Sequence, residues 1–186
     1  MKRLSTSLLH TAWTEKEGRQ VDDLIAFVEA YAGDSFIADV CKYLYQLVNI
    51  DNILVGYQTK EAFQIQTTCF LHHGIQEPDF QYNYARTPCS HVVGQDLYYI
   101  PFGVQSFFPD IALLQKLKVE SYLGMPLFDN KDRSLGLIVL LHQKLIEQAG
   151  FVEALLNVIA PRIEVEIQAL PDYQAASLAS NLEPEY

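Results

Sequence analysis

The chain has 186 residues, of which 49% are hydrophobic and 19% are charged, and this composition is typical of a folded domain rather than a disordered chain. It has 13 Lys and Arg residues against 23 Asp and Glu, a formal net charge of -10. Because nucleic acids and anionic membrane surfaces are bound through basic patches, this balance argues against both partners. No apolar run approaches the ~20 residues that a membrane-spanning helix needs. We therefore expect one soluble domain.

The three cysteines, Cys41, Cys69 and Cys89, include no CxxC pair. An odd number of cysteines is unlike a disulfide framework and favours the reducing cytoplasm. The stretch that follows the basic pair Lys2-Arg3 is too short and polar for the core of an export signal. The sequence therefore predicts a cytoplasmic location.

Three stretches show the 3.6-residue apolar spacing of amphipathic helices. The first contains Val21, Leu24, Ile25 and Val28 and ends by Gly33, and Asp34 is placed to cap the second. The second helix carries its inner apolar side chains at Phe36, Ile37, Val40, Leu44, Leu47 and Val48. The third runs over about residues 147–170 and contains Pro161, whose missing N–H predicts a kink.

The middle of the chain reads as strands. Residues 53–59 form the first, and the second is predicted to place alternate residues on one buried face. These alternate residues are Phe63, Ile65, Thr67, Cys69 and Leu71. Residues 119–128 and 134–142 form a hairpin whose turn needs Asn130 or Asp132 in a left-handed conformation. Leu135–Leu141 is apolar on both faces, which predicts a central strand.

Residues 74–118 are rich in Pro, Tyr and Phe and are too numerous for a plain connection. A set of short motifs begins in this stretch and continues to residue 140. In order, the motifs are Thr87-Pro88-Cys89, Tyr99-Ile100-Pro101, Phe107-Phe108-Pro109-Asp110, the stretch 120–127 and the stretch 135–140. Together they resemble a GAF domain, the small-molecule sensor module of bacterial signalling proteins, over residues 34–169.

The resemblance implies an α/β fold of the α+β type. A central antiparallel sheet would carry the N- and C-terminal helices on one face and a pocket-forming segment on the other. It divides the chain into an N-terminal segment with a flanking helix (1–33), the GAF domain with its C-terminal signalling helix (34–170) and a flexible tail (171–186). It also implies that Pro88 fixes the backbone while Cys89 packs under the pocket.

The predicted ligand-binding residues are His91, Tyr99, Phe108 and Tyr122, placed between the sheet and residues 98–118. Pockets combine apolar walls with a few polar groups, and the imidazole and the tyrosine hydroxyls supply these. The identity of the ligand, and of any cofactor, stays open. Plain core packing is the competing interpretation for most of the aromatic residues.

Two chemical alternatives are disfavoured. Cys69, His72, His73, Cys89 and His91 lack the tight pairs of a zinc site, and we predict no metal. Cys89 and His91 lack an orienting third residue for nucleophilic catalysis, and no catalytic residue is predicted. The cysteine motifs of free methionine sulfoxide reductases and the bilin-binding Cys of phytochromes have no counterparts here.

The sequence therefore predicts a regulatory domain that binds a small molecule and is not an enzyme. In the family, such domains precede a histidine kinase, a diguanylate cyclase or phosphodiesterase, or a transcription regulator, and none is present in this chain. Either the output domain was removed or the chain is a stand-alone regulator. The alternative is a ligand-free module for dimerisation and signal relay.

A homodimer through the flanking helices is also predicted. Val152, Ile159 and Ile163 form an apolar seam that extends beyond what the sheet needs, with Val21–Val28 as its match. The seam is the observation on which the predicted dimer depends.

Overall fold

The structure, a computed structural model, describes residues 13–174. Its helices are α1 (Glu15–Ala30), α2 (Phe36–Val48), α3 (Val104–Phe107), α4 (Ala112–Lys116) and α5 (Ala149–Ala169), with a 3-10 helix at Pro88–His91. Its strands are β1 (Asn52–Gln58), β2 (Gln64–His72), β3 (Ile75–Glu77), β4 (Gln81–Asn83), β5 (Tyr98–Ile100), β6 (Ser121–Phe128) and β7 (Ser134–His142).

The strands form one antiparallel sheet in the order β3-β2-β1-β7-β6-β5, and β4 pairs with the other end of β2. The two predicted hairpins are therefore joined through β1 and β7. Strand β7 is central, as its apolar sequence predicts, because it pairs with a neighbour along both edges.

One face of the sheet is covered by α1, α2 and α5. We call the apolar cluster between them the helix-side core. Its sheet residues include Ile53, Val55, Leu123 and Leu140, and Leu24, Leu44 and Ile159 are helix residues with no exposed surface. The three predicted helices thus lie on one face of the sheet, and the α+β fold is confirmed.

The other face is covered by residues 80–119, and we call the cluster beneath them the loop-side core. Its sheet residues are Leu54, Ile65, Phe70, Ile100, Tyr122, Leu137, Val139 and Leu141. They meet Tyr84, Cys89, Val92, Val104, Leu114, Leu117 and Val119 from the covering segment. The long connection that the sequence sets apart therefore builds a second core.

The predicted face of β2 is wrong for half of the strand. Its register against β1 shifts between Val55 and Gly56, which pair with Cys69 and Thr67 and leave Thr68 as an extra residue. A bulge of this kind reverses the side to which the following residues point. As a result, Cys69 packs in the helix-side core while Ile65 packs in the loop-side core.

The predicted dimer seam is also wrong. Val152, Ile159 and Ile163 are 2%, 0% and 0% exposed, because they pack into the helix-side core of their own chain. The helix boundaries differ slightly from those predicted as well. Ser35 rather than Asp34 precedes α2, and its N–H donates to the Tyr31 hydroxyl.

The β6–β7 turn is organised by Asp129. Its carboxylate accepts hydrogen bonds from the backbone N–H groups of Lys131 (2.8 Å) and Arg133 (2.9 Å) and from Arg133 Nε (2.7 Å). Asp132 adopts the left-handed conformation that the turn requires, with a φ of 57°. Burial favours the neutral carboxyl, but the hydrogen bonds outweigh it and lower the pKa of Asp129.

Asp129→Ala is expected to lower the free energy of unfolding by about 1–3 kcal/mol at neutral pH, because three donors lose their acceptor. Since folding lowers the pKa of Asp129, its contribution is present above the unfolded-state pKa and is lost as the pH falls through the folded-state pKa. Urea unfolding from pH 7 downward should show the difference between the two proteins shrinking in acid. The exposed Asp96→Ala is the control, and a difference independent of pH would contradict this account.

Most of the predicted tail lies outside the described residues. The described part, 171–174, is helical, and the Tyr173 ring lies 5.7 Å from the Tyr57 ring. Between residues 13 and 174, no helix combines the length and apolar character needed to cross a membrane.

Candidate ligand cavity

The site is built around a 3-10 helix that holds Cys89 against the sheet. Thr87 caps this helix, since its hydroxyl accepts from the backbone N–H of Cys89 (3.2 Å) and donates to the carbonyl of Tyr84 (3.0 Å). Pro88 occupies the first turn, where its missing N–H loses no helical hydrogen bond. The thiol of Cys89 is thereby fixed beneath the covering segment, with 6% of the residue exposed.

Two tyrosine hydroxyls converge on this thiol. Tyr82 on β4 and Tyr122 on β6 both donate to Cys89 Sγ, at 3.4 and 3.3 Å. Burial raises the pKa of both phenols well above the usual range, and the neighbouring Cys89 adds to the effect. Burial also raises the pKa of the Cys89 thiol, against the opposing effect of its hydrogen bonds. All three groups are therefore neutral donors or acceptors near pH 7.

A cavity of about 220 Å³ opens beside these three groups. Its floor is the loop-side face of the sheet, formed by Leu54, Tyr122, Val139 and Leu141. The remaining walls are Tyr82, Asn83, Thr87, Pro88, Cys89 and the stretch 110–114. Apolar walls with a few convergent polar groups are typical of small-molecule sites.

The charged group in the lining of the cavity is a carboxylate. Asp110 is the only lining residue in the described part of the chain with a formal charge, and Lys, Arg and His are absent from the lining. Asp110 itself is exposed. The cavity therefore offers no cation to an anionic ligand.

The structure separates the four predicted site residues. Tyr122 lines the cavity, with 1% of the residue exposed. His91 and Phe108 lie on the same face of the sheet but outside the cavity lining. The His91 ring lies 4.8 Å from that of Tyr98 and 6.2 Å from that of Phe108.

Tyr99 lies on the opposite face of the sheet from the other three predicted site residues. It lies between Tyr98 and Ile100 on β5, both of which pack with the loop-side core, so the alternation of the strand turns Tyr99 to the helix side. There its hydroxyl donates to the carbonyl of Ile146, at 3.0 Å. The predicted place of Tyr99 in the pocket is therefore wrong.

Several lining residues were not predicted, above all Tyr82 and the apolar stretch Ile111–Leu114. Tyr82 lies in a strand of three residues, too short to give a periodic signal. Leu113 and Leu114 lie inside the predicted segment 98–118, but the five-residue helix that carries them gives no periodic signal to single them out. Leu54 and Val139 alternate with helix-side residues in strands that are apolar on both faces, so the sequence pattern does not assign them to one side.

A second cavity, of about 700 Å³, lies between the ends of α1 and α2 and the β7–α5 connection. It is larger, but many of its lining residues are polar and some of these bond one another. Asp51 Oδ2 lies 2.8 Å from His142 Nδ1 and accepts from the backbone N–H of Gln143 at 2.8 Å. We take the smaller cavity as the candidate site because its lining is mainly apolar. Within residues 13–174, no group of His, Cys, Asp and Glu is arranged to hold a metal ion.

Comparison with known families identifies the fold. The family model of the GAF domain matches residues 33–167, which is most of the chain. This chain belongs to the GAF domain family. A comparison with curated protein sequences found no match.

Solved structures agree with this assignment. The GAF domain of NLH2 from A. aeolicus, in an inactive state, is 13% identical over 82% of this chain and 96% of that chain, with a TM-score of 0.58. Free methionine-R-sulfoxide reductase from Neisseria meningitidis, in complex with its substrate, is 14% identical over 91% and 99%, with a TM-score of 0.64. Bacteriophytochrome RpBphP3 from R. palustris is 13% identical over 92% and 42%, with a TM-score of 0.61. At these identities the likeness shows the fold alone.

Proposed function

We propose that this chain is a cytoplasmic sensory GAF domain that binds a small molecule in the loop-side cavity and regulates an output domain. The cavity carries the proposal, because the hydroxyls of Tyr82 and Tyr122 and the thiol of Cys89 meet beside a mainly apolar space. The output would be a histidine kinase, a diguanylate cyclase or phosphodiesterase, or a transcription regulator.

The proposed domain has no catalytic activity of its own. Although one solved structure with this fold is a methionine sulfoxide reductase, nucleophilic chemistry needs a thiolate. Burial raises the pKa of Cys89 even though two phenols donate to its sulfur, so the thiol stays protonated near pH 7. Turnover of free methionine sulfoxide by the purified domain would contradict this part of the proposal.

A route for the signal runs from the sheet to α5. Tyr122 lines the cavity, and six residues later on β6 the backbone N–H of Phe128 donates to Glu164 Oε1 of α5, at 2.9 Å. A movement of β6 on ligand binding would therefore pull directly on α5. Pro161, which cannot donate to the carbonyl of Asn157, lies three residues before Glu164. The predicted kink at Pro161 stays a prediction.

The proposed homodimer uses α1 and α5, whose exposed large apolar residues are Ile25 (37%) and Val165 (59%). The two helices already pack against one another in the chain. A dimer formed there would place both copies of α5 side by side for a following domain.

The alternative function is a relay module without a ligand. The neighbouring rings of His91, Tyr98 and Phe108, which meet in tilted and edge-to-face contacts, favour it because they fill part of the space between the covering segment and the sheet. In that case the remaining cavity is a packing gap.

The two functions predict different results in a thermal-shift screen of small molecules. A ligand present at 100 times its dissociation constant adds about 2.7 kcal/mol of stability, which corresponds to a rise of several degrees in melting temperature. Val139→Phe places a ring in the cavity and should abolish the shift, whereas Tyr99→Phe, on the opposite face, should preserve it. Absence of any hit, or a hit that persists undiminished in a folded Val139→Phe protein, would contradict binding in this cavity.

A further inference from the structure

The dimensions and polarity of the cavity restrict the ligand beyond the proposed function, on which this inference rests. We infer that the cavity takes a small, uncharged, mainly apolar molecule with one hydrogen-bond acceptor, of the chemical class of the aryl ketones. Carboxylates and phosphates are excluded from it. The size, the charge and the hydrogen-bonding groups of the cavity each restrict the ligand.

Size limits the ligand to about one ring with a short substituent. A dry apolar cavity of about 150 Å³ in another protein accommodates benzene, and the cavity here is about 220 Å³. A nucleotide or a tetrapyrrole is several times larger than this space. Leu54 and Leu141 in the sheet form one wall, so a ligand of that size would have to displace the opposite wall, the stretch 110–114.

Charge excludes anions. Among residues 13–174, the lining offers no cationic side chain, and Asp110, the one charged residue there, would repel a carboxylate or phosphate. A buried anion without a cation or several donors binds poorly, because water solvates it far better. A neutral molecule avoids this penalty and benefits from the apolar walls.

The hydroxyls of Tyr82 and Tyr122 are hydrogen-bond donors that favour a ligand with an acceptor. Both now donate to the single sulfur of Cys89, at 3.4 and 3.3 Å, and a thiol is a weak acceptor. A carbonyl oxygen is a stronger one. A ligand carbonyl beside Tyr122 would take over one hydrogen bond and leave the other with Cys89, so no buried donor would lose its partner.

Three probes of similar size and shape separate these requirements: acetophenone, which carries a carbonyl, cumene, which has no acceptor, and benzoate, which is an anion. Calorimetry with the full chain at neutral pH should show acetophenone binding at least about 100-fold more tightly than benzoate. Acetophenone should also bind about 3- to 10-fold more tightly than cumene. Benzoate binding as tightly as acetophenone would overturn the inference.

Variants test the hydrogen bond. Tyr122→Phe and Tyr82→Phe should each reduce the preference for acetophenone over cumene, and the double variant should remove it. Tyr99→Phe deletes a hydroxyl on the opposite face and should change neither affinity. An unchanged preference in a folded double variant would overturn the role of the two hydroxyls.

Failure of the inference is distinguishable from failure of the proposed function. If none of the three probes binds but another compound gives a thermal shift that Val139→Phe abolishes, the ligand class is wrong and the sensory function stands. If nothing binds at all, both are wrong and the relay module is the better description.

Discussion

Gly136→Ala is expected to lower the free energy of unfolding by about 3–5 kcal/mol, one of the largest effects of any single methyl group in this chain. A Cβ atom at Gly136 would lie 2.1 Å from the carbonyl oxygen of Gly56 and 2.8 Å from the Cα of Tyr57. Both obstacles are backbone atoms of β1, so no side-chain rotation relieves the collision. Relief requires β1 and β7 to separate at the centre of the sheet.

Gly18→Ala is the matched control. Gly18 lies inside α1, and a Cβ atom there meets nothing within 4 Å. Because alanine favours helix more than glycine does, the control should gain up to about 1 kcal/mol. Urea unfolding of the three proteins measures both effects. A Gly136→Ala protein within about 1 kcal/mol of the parent would show that the two strands are not held as closely as described.

Ile159→Glu is expected to prevent folding or to lower stability by more than about 4 kcal/mol. Ile159 is 0% exposed and packs in the helix-side core. The substitution places a carboxylate among apolar side chains, and its charged form loses its hydration. Circular dichroism during thermal unfolding would measure the loss.

Val165→Glu is the control on the same helix, and it also tests the proposed dimer. Val165 is 59% exposed, so the change should alter the stability of the monomer by no more than about 0.5 kcal/mol. If α1 and α5 form the dimer interface, Val165→Glu and Ile25→Glu should each raise the dimer dissociation constant in analytical ultracentrifugation. A parent protein that is monomeric at tens of micromolar would contradict the dimer.

The order of elements could be read from the sequence because periodicity and turn chemistry are local. The three long helices, both hairpins and the central position of β7 follow from apolar spacing. The turn residues narrowed the left-handed position to Asn130 or Asp132, and the structure has Asp132 there. The covering segment was recognised by its length and composition, since it has too few regular elements for a periodic signal.

The side of the sheet to which a residue points was harder to predict. The bulge at Thr68 has no signature in a strand of alternating residues, yet it moves Ile65 to the opposite core. In β5, which has three residues, a choice between Tyr98 and Tyr99 depends on a register that only pairing with β6 fixes. Tyr122 on β6 lines the cavity, whereas Tyr99 on β5 packs on the helix side.

The number of apolar faces on α5 was a separate difficulty. Its sequence shows apolar residues in excess of one narrow stripe, which suggested a partner helix. In the structure these additional apolar residues are buried within the chain, because α5 packs against α1, α2 and the sheet. A helix surrounded on several sides by its own domain has the same sequence pattern as a helix in a dimer.

The alternation of β6 has an evolutionary consequence. Tyr122 contributes to the cavity, while its neighbours Leu123, Met125 and Leu127 belong to the helix-side core. Under the proposed function, adjacent codons of β6 meet two separate requirements, the shape of the cavity and the packing of the helices. Substitutions at loop-side positions would then change the shape of the cavity while the helix-side packing stays intact.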